Sequence, residues 1–125
     1  MKSAINWFEI SVSNMDRAVK FYSTVLAVEF KREDFGGRDM AVFPAEDPGV
    51  GGALLADPQR KPSMDGVLVY LDATGKLDAC LTRVIPAGGE ILLPRTSVGD
   101  PGFIAIVRDS EGNCVGLHAA PGEGD

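Results

Sequence analysis

One structural plan occurs twice along the chain, and this repeat restricts the fold more than any other feature of the sequence. Residues 1–56 read as a strand, a helix and three further strands, and residues 66–120 read in the same order. One constant shift along the chain aligns Val12 with Ala73 and Ala18 with Ala79. Few residues are identical, but the order of elements matches throughout. The two halves are therefore predicted to fold as similar modules, because an internal duplication determines the architecture.

The predicted elements follow from the spacing of apolar residues and from turn residues. Apolar residues at helical spacing predict one helix near residues 15–26 and another near residues 76–85. Ser13, with Asp16 three residues later, indicates a capping box at the start of the first helix. Three strands are expected after each helix, at 27–33, 39–44, 51–56, 88–93, 102–108 and 114–119.

These elements predict an α+β fold, in which two βαβββ modules form an open, curved mixed sheet. The modules are expected at residues 1–56 and 66–120 of a single domain that spans residues 1–125. The segment at 57–65 is polar and contains proline, which is typical of a linker. Residues 121–125 read as a tail.

The opening strand carries a carboxylate where an ordinary buried strand would be apolar. In an alternating strand, Phe8 and Ile10 point to one face, while Trp7, Glu9 and Ser11 point to the other. The first face suits a core beneath a helix. The second combines a large aromatic ring with a carboxylate and a hydroxyl, which suits the wall of a ligand pocket. An exposed strand face that happens to carry one tryptophan is the alternative.

The second module offers the same face for ligand binding. Leu68, Tyr70 and Asp72 alternate along its first strand, and Gly116 and His118 alternate along its last. If the two sheets meet edge to edge and curve, all of these positions line one trough. A solvent-exposed strand edge explains Asp72 equally well.

Composition and charge exclude several classes of function. The net charge of −6 argues against nucleic acid or an anionic membrane as a partner. No apolar run reaches the length of a membrane span. The two cysteines form no disulfide framework, so a reducing cytoplasm is the expected compartment. A single histidine excludes a zinc finger of the Cys/His type.

Two segments carry a resemblance to a known family. The opening "FEISVSNMDRAVKFYSTVL" and the closing "VRDSEGNCVGLH", within paired βαβββ modules, resemble the vicinal oxygen chelate superfamily. That superfamily includes glyoxalase I, extradiol dioxygenases and the bleomycin- and fosfomycin-resistance proteins. The resemblance covers nearly the whole chain and implies the fold. It does not by itself imply one activity, because this scaffold supports many chemistries.

The resemblance also implies where a metal would bind, and this sequence has no ligand there. The histidine expected in the first strand of each module is replaced by Trp7 and Leu68. The closing glutamate is replaced by Gly116, and its counterpart in the first module falls at Gly52 or Ala53. None of these side chains donates an electron pair to a metal, so we expect no metal cofactor.

Two polar residues remain on the predicted cleft face, each two positions beyond a lost ligand: Glu9 and His118. They are predicted to approach each other and to form a catalytic acid/base pair. A structural hydrogen bond without chemistry is one alternative. A divalent metal held weakly by the same two side chains and water is another.

Two functions are compatible with these patterns. The first is a small-molecule-binding protein of the glyoxalase/bleomycin-resistance type, which holds a hydrophobic or aromatic compound against Trp7 and Tyr70. The alternative is a glyoxalase-like lyase or isomerase, or a dioxygenase, that uses Glu9 and His118. A homodimer is expected in either case, because related proteins commonly associate and the open sheet edges would be covered by pairing.

Overall fold

The computed structural model describes residues 1–122. It shows the βαβββ plan twice, so the predicted repeat and fold class are confirmed. The elements are β1 (Trp7–Ser11), α1 (Met15–Leu26), β2 (Lys31–Phe35), β3 (Arg38–Val42), β4 (Gly51–Ala56), β5 (Tyr70–Asp72), α2 (Leu77–Val84), β6 (Glu90–Ser97), β7 (Phe103–Arg108) and β8 (Cys114–Ala119). The last three residues of the predicted tail lie outside the described residues.

Each module forms one open, four-stranded mixed sheet. The strand orders are β1-β4-β3-β2 and β5-β8-β7-β6. The first strand of each module is parallel to the last, and the other neighbours are antiparallel. β1 and β5 thus have a neighbour on one side only, and their free edges line a common crevice. We call this boundary between the two sheets the seam.

Backbone hydrogen bonds show which residues of the two modules are equivalent. The amide of Val12 donates to the carbonyl of Leu55, and the amide of Ala73 donates to the carbonyl of His118. Val12 is therefore equivalent to Ala73, as the sequence predicts, and Leu55 is equivalent to His118. The segment from Ala73 to His118 is slightly longer than the segment from Val12 to Leu55. One constant shift along the chain therefore does not align the last strands of the two modules.

The cap of the first helix lies one residue later than predicted. Asn14 is the N-cap, and its side-chain oxygen accepts from the amide of Arg17. Ser13 does not cap the helix, because its amide and hydroxyl both donate to Glu111. The helix ends at Leu26, and its C-cap residue, Ala27, has a left-handed backbone (φ 56°). Neither helix within residues 1–122 is long and apolar enough to cross a membrane.

Both helices and one face of each sheet share a single core. Ile10 and Val12 of the first module pack in the same cluster as Leu71 and Ala73 of the second. The buried side of α1 contributes Ala18, Phe21, Tyr22, Val25 and Leu26, and α2 contributes Leu77, Cys80 and Val84. The opposite face of each sheet, which no helix covers, is called the open face.

Several strand boundaries differ from those predicted. β2 starts at Lys31 because its partner β3 ends at Val42, which pairs with Lys31. The preceding Val28 and Phe30 pack against the core without strand pairing. β5 is limited to Tyr70–Asp72, so Leu68 lies before the strand. β6 continues to Ser97, because its hairpin with β7 extends to Phe103.

A turn between β7 and β8 connects the modules through three side chains, Asp109, Glu111 and Asn113, which we call the clamp. Asp109 accepts from the hydroxyl of Tyr22 on α1. Glu111 accepts from Ser13, Asn14 and Arg17, and Asn113 donates to the carbonyl of Ser11 at 2.8 Å. The end of the second module therefore fixes the start of α1.

The opposite end of α1 is held by α2. Arg83 donates to the carbonyl of Val25 at 2.9 and 3.1 Å, and Lys76 Nζ donates to the carbonyl of Leu26 at 2.6 Å. The last turn of α1 contains no basic residue of its own. These two cations therefore satisfy carbonyls that a helix leaves free and oppose its negative end.

Candidate functional site

The open face of the first sheet is built from alternate residues of its strands. Ile10 and Val12 are buried beneath the helices, whereas Trp7 is 44% exposed and the Glu9 side chain is 34% exposed. Ser11 is half-buried on the same face as Trp7 and Glu9. The strand phase inferred from the sequence is therefore present in the structure.

An apolar floor lies at the centre of this face, formed by Met40, Val42, Ala53 and Leu55. Three of these residues are buried, and Val42 packs against them. They form a cluster that is separate from the main core. Glu9 is the register partner of Ala53, so its carboxylate lies at the border of the floor.

A line of polar contacts borders the floor. Trp7 Nε1 donates to Glu9 Oε2 at 3.3 Å, and the other Glu9 oxygen is 3.6 Å from Arg38 Nη2. The same Arg38 nitrogen is 3.9 Å from Asp57 Oδ2. Both carboxylate distances exceed a hydrogen bond, so Arg38 is attracted to two acids but fixed by neither. Its guanidinium is free to donate to a bound molecule.

The linker completes one side of the cleft above the floor. This cleft has a volume of about 790 Å³ and is lined by Glu9, Ser11, Arg38, Leu55, Gln59, Arg60 and Val67. We call it the ligand cleft. Its volume lies within the range of roughly 300–1,000 Å³ that is typical of small-molecule sites.

The second sheet carries its own polar groups on the open face. Asp72 accepts from the amide of Thr74, and this bond, together with the Thr74 hydroxyl, lowers the pKa of Asp72. His118 is the register partner of Asp72, and its Nε2 is 2.6 Å from the carbonyl of Pro101. Because a carbonyl only accepts, Nε2 carries the proton.

Glu9 and His118 are not joined by a hydrogen bond in residues 1–122. Glu9 contacts Trp7 and Arg38, whereas His118 contacts Pro101 and lies beside Asp72. The structure therefore places the two residues on the open faces of different sheets. Their predicted role as a catalytic pair stays a prediction, and the geometry gives each a different partner.

The positions at which the resemblance implies metal ligands do not fit a metal. A Cβ added at Gly116 would overlap the ring of Tyr70. Ala53, the register counterpart of Gly116, is part of the apolar floor, and Gly52 faces the ring of Phe8. Trp7 lies against Gly51. Among the described residues, no three His, Cys, Asp or Glu side chains are grouped to hold an ion.

Sequence reasoning missed five residues of the ligand cleft: Arg38, Leu55, Gln59, Arg60 and Val67. Arg38 had a signal, because it alternates with Met40 and Val42 in "RDMAV" and so shares their face. Leu55 lies on β4, Gln59 and Arg60 lie in the linker at 57–65, and Val67 lies between the linker and β5. Nothing in a polar segment indicates that it folds over a sheet.

Comparison with known proteins agrees with this architecture. The family model for the glyoxalase/bleomycin resistance protein/dioxygenase superfamily matches residues 4–117. The metallothiol transferase FosB of Shouchella clausii is 32% identical over 126 residues, covering 94% of this chain and 81% of that protein. The chain therefore belongs to the glyoxalase/bleomycin resistance protein/dioxygenase superfamily.

Two further similarities concern the length of the relatives and the fold. The CFP32 proteins of Mycobacterium bovis and Mycobacterium tuberculosis are 25% identical over 120 residues, and the chain spans 45% of their length. TnmS3, an antibiotic binding protein from Streptomyces sp. CB03234, has a TM-score of 0.67 at 19% identity, with 95% of this chain and 97% of that one covered. The likeness to TnmS3 shows the fold alone.

Proposed function

We propose that the chain is a small-molecule-binding protein that holds an organic ligand in the ligand cleft. The observation that carries the proposal is the ligand cleft itself, in which polar and charged side chains surround Leu55 of the floor on the face that no helix covers. Small-molecule sites are concave and fix their ligands through a few placed polar groups, and this cleft offers such groups beside its apolar residues, Leu55 and Val67. The fold shared with an antibiotic binding protein supports the same function.

The cleft favours a flat ligand with both a hydrogen-bond donor and an acceptor. Leu55 and Val67 are the apolar residues of the lining that an apolar ring would contact, and the exposed ring of Trp7 lies on the same sheet face beside Glu9. Glu9 accepts hydrogen bonds, and Arg38 donates them without being fixed by its neighbours. An aromatic amide carries both complementary groups and no net charge, so it suits this pair of opposite charges.

The chain supplies its own reporter for this test, because Trp7 is its single tryptophan. A panel of aromatic amides is expected to include compounds that change Trp7 fluorescence saturably. Arg38→Met is expected to weaken their binding at least tenfold, since a hydrogen bond to a charged group contributes roughly 1.5–3 kcal/mol. Titration of both proteins with the same amides measures this change.

Arg108→Met is the matched control. Arg108 is as exposed as Arg38 (41% against 46%) and pairs with Glu90 at 3.2 Å on the other sheet. Its loss is expected to leave the affinity unchanged. Equal weakening by both substitutions would mean that net charge, and not the ligand cleft, determines binding. Absence of any saturable change across the panel would remove the proposal.

We also propose that the protein binds its ligand without a metal. Glu9 and His118 are the side chains that a weak site would use, and they contact different partners. Protein purified without added metal is expected to contain no stoichiometric zinc, nickel, iron or manganese. Its melting temperature is expected to stay constant with chelator and during metal titration, because a tight site would raise it.

Elemental analysis and thermal melts measure these two quantities. One metal ion per chain, lost in Glu9→Ala or His118→Ala, would contradict the proposal. That result would favour the glyoxalase-like or dioxygenase alternative.

A homodimer is the third part of the proposal. β2 and β6 are the outer strands of their sheets, and each is hydrogen-bonded on one side only. Pairing with a second copy would cover such an edge. Light scattering is expected to give twice the chain mass of 13.2 kDa. A value near 13.2 kDa over a wide concentration range would contradict the dimer.

A further inference from the structure

The clamp has a counterpart in the first module at which the stabilising side chains are missing. The amide of Gly112 donates to the carbonyl of Asp109, and the amide of Gly49 donates to the carbonyl of Glu46. These bonds close equivalent turns in front of β8 and β4. The alignment that matches Leu55 with His118 places Val50 at the position of Asn113.

The two turns differ in the side-chain contacts that they make across the seam. The clamp joins its turn to α1 and β1 through several hydrogen bonds. Among the described residues, no side chain of 46–50 makes a hydrogen bond or an ion pair. One half of the seam is therefore bridged by polar side-chain contacts, and the other half is not.

A cavity of about 260 Å³ occupies the half of the seam that has no clamp. It lies where the free edges of β1 and β5 meet the end of α1. Its walls are mostly apolar and include Phe8, Leu26, Val28, Phe43, Val69 and Leu71. It shares no lining residue with the ligand cleft.

The size and charge of this seam cavity define what it would hold. An apolar cavity of roughly 150 Å³ is enough to hold benzene, so a substituted ring fits here. Asp72 and Lys76 are the charged residues of its lining. Their charges cancel, and Lys76 already donates to the carbonyl of Leu26. The lining therefore offers neither sign of charge to an ionic ligand.

We propose that the seam cavity is a second binding site, which takes a compact, uncharged molecule about the size of one substituted aromatic ring. It is separate from the ligand cleft, so the chain has room for two small molecules at once. An occupant would add packing contacts at the half of the seam that has no clamp. Binding is therefore expected to raise the melting temperature.

Toluene is the probe for this test, with nuclear Overhauser effects from its protons to protein methyl groups as the readout. Contacts are expected to the methyl groups of Leu26, Val69 and Leu71. Val28→Phe reduces the cavity from its wall and is expected to weaken toluene binding at least tenfold. Val50→Phe blocks its mouth and is expected to weaken binding as well.

Val98→Phe is the matched control, because Val98 is 40% exposed, Val50 is 38% exposed, and Val98 does not line the cavity. It is expected to bind toluene like the unaltered protein. If Val28→Phe does not fold, the comparison of toluene binding by Val50→Phe and by Val98→Phe tests the second site.

Three results would overturn the second site. The first is the absence of toluene contacts at Leu26, Val69 and Leu71, and the second is binding that Val50→Phe leaves unchanged. The third is contacts confined to the methyl groups of Leu55 and Val67, which line the ligand cleft. That third result would place toluene in the ligand cleft, so it would remove the seam site while supporting the proposed function.

Discussion

Asp109→Ala is expected to lower the free energy of unfolding by about 4 kcal/mol, which is the size of loss seen when one partner of a buried charged network is removed. The Asp109 residue is 0% exposed. Its carboxylate accepts from the hydroxyl of Tyr22, the amides of Glu111 and Asn113, and the side-chain amide of Asn113. Alanine would leave these donors buried without an acceptor, and each such group costs roughly 1–3 kcal/mol.

Urea unfolding at pH 7 measures this loss. Asp78→Ala is the control, because Asp78 is 66% exposed and pairs with Arg95 on the surface at 3.0 Å. An exposed pair of this kind contributes roughly 0–1 kcal/mol. A loss at Asp109 no larger than the loss at Asp78 would show that the clamp does not hold the modules together.

Glu111→Gln is expected to lower the free energy of unfolding by about 3 kcal/mol at pH 7, and the loss is expected to depend on pH. Its side chain is 0% exposed. Burial alone would raise the pKa of Glu111, but hydrogen bonds from Arg17, Asn14 and Ser13 outweigh burial and lower it from 4.5 to about 2. The folded state therefore favours the charged carboxylate.

The sign of the pH dependence follows from this lowered pKa. The stability that Glu111 contributes is complete above its ordinary pKa of 4.5, and it is lost as the pH falls towards about 2. Urea unfolding between pH 7 and pH 3 is therefore expected to show the two proteins converging. A constant difference over this range would mean that the lost stability comes from packing and not from charge.

Glu90→Gln is the matched control for this series. Glu90 is 59% exposed and pairs with Arg108 at the surface. Its substitution is expected to change the free energy of unfolding by less than about 1 kcal/mol at any pH in the range.

The sequence was sufficient for the fold because the relevant signals are local and repeated. Helical spacing predicted α1 at its observed bounds, Met15–Leu26. Strand alternation predicted that Trp7, Glu9 and Ser11 share the face opposite Ile10. The predicted strand boundaries were wrong where the partner strand determines them. One example is Lys31, whose pairing depends on where β3 ends.

The site was less predictable because its polar contacts join distant segments. Ser13 has the sequence signal of a helix cap, yet it donates to Glu111, 98 positions later. Arg38 approaches Glu9 only because β3 and β1 flank the same strand, β4. Alternation identifies the face of a strand, but it does not tell which residues of other strands or of a linker approach that face.

The clamp also has a consequence for how the protein forms during synthesis. The first turn of α1 is translated early, but the amides of Ser13 and Asn14 donate to Glu111, which follows them by 98 and 97 residues. That turn therefore stays without its acceptor until residues 109–113 have left the ribosome. Contacts of such long range slow folding, because the loop must close before they form. We expect the first module to become resistant to proteases only after the second module has been made.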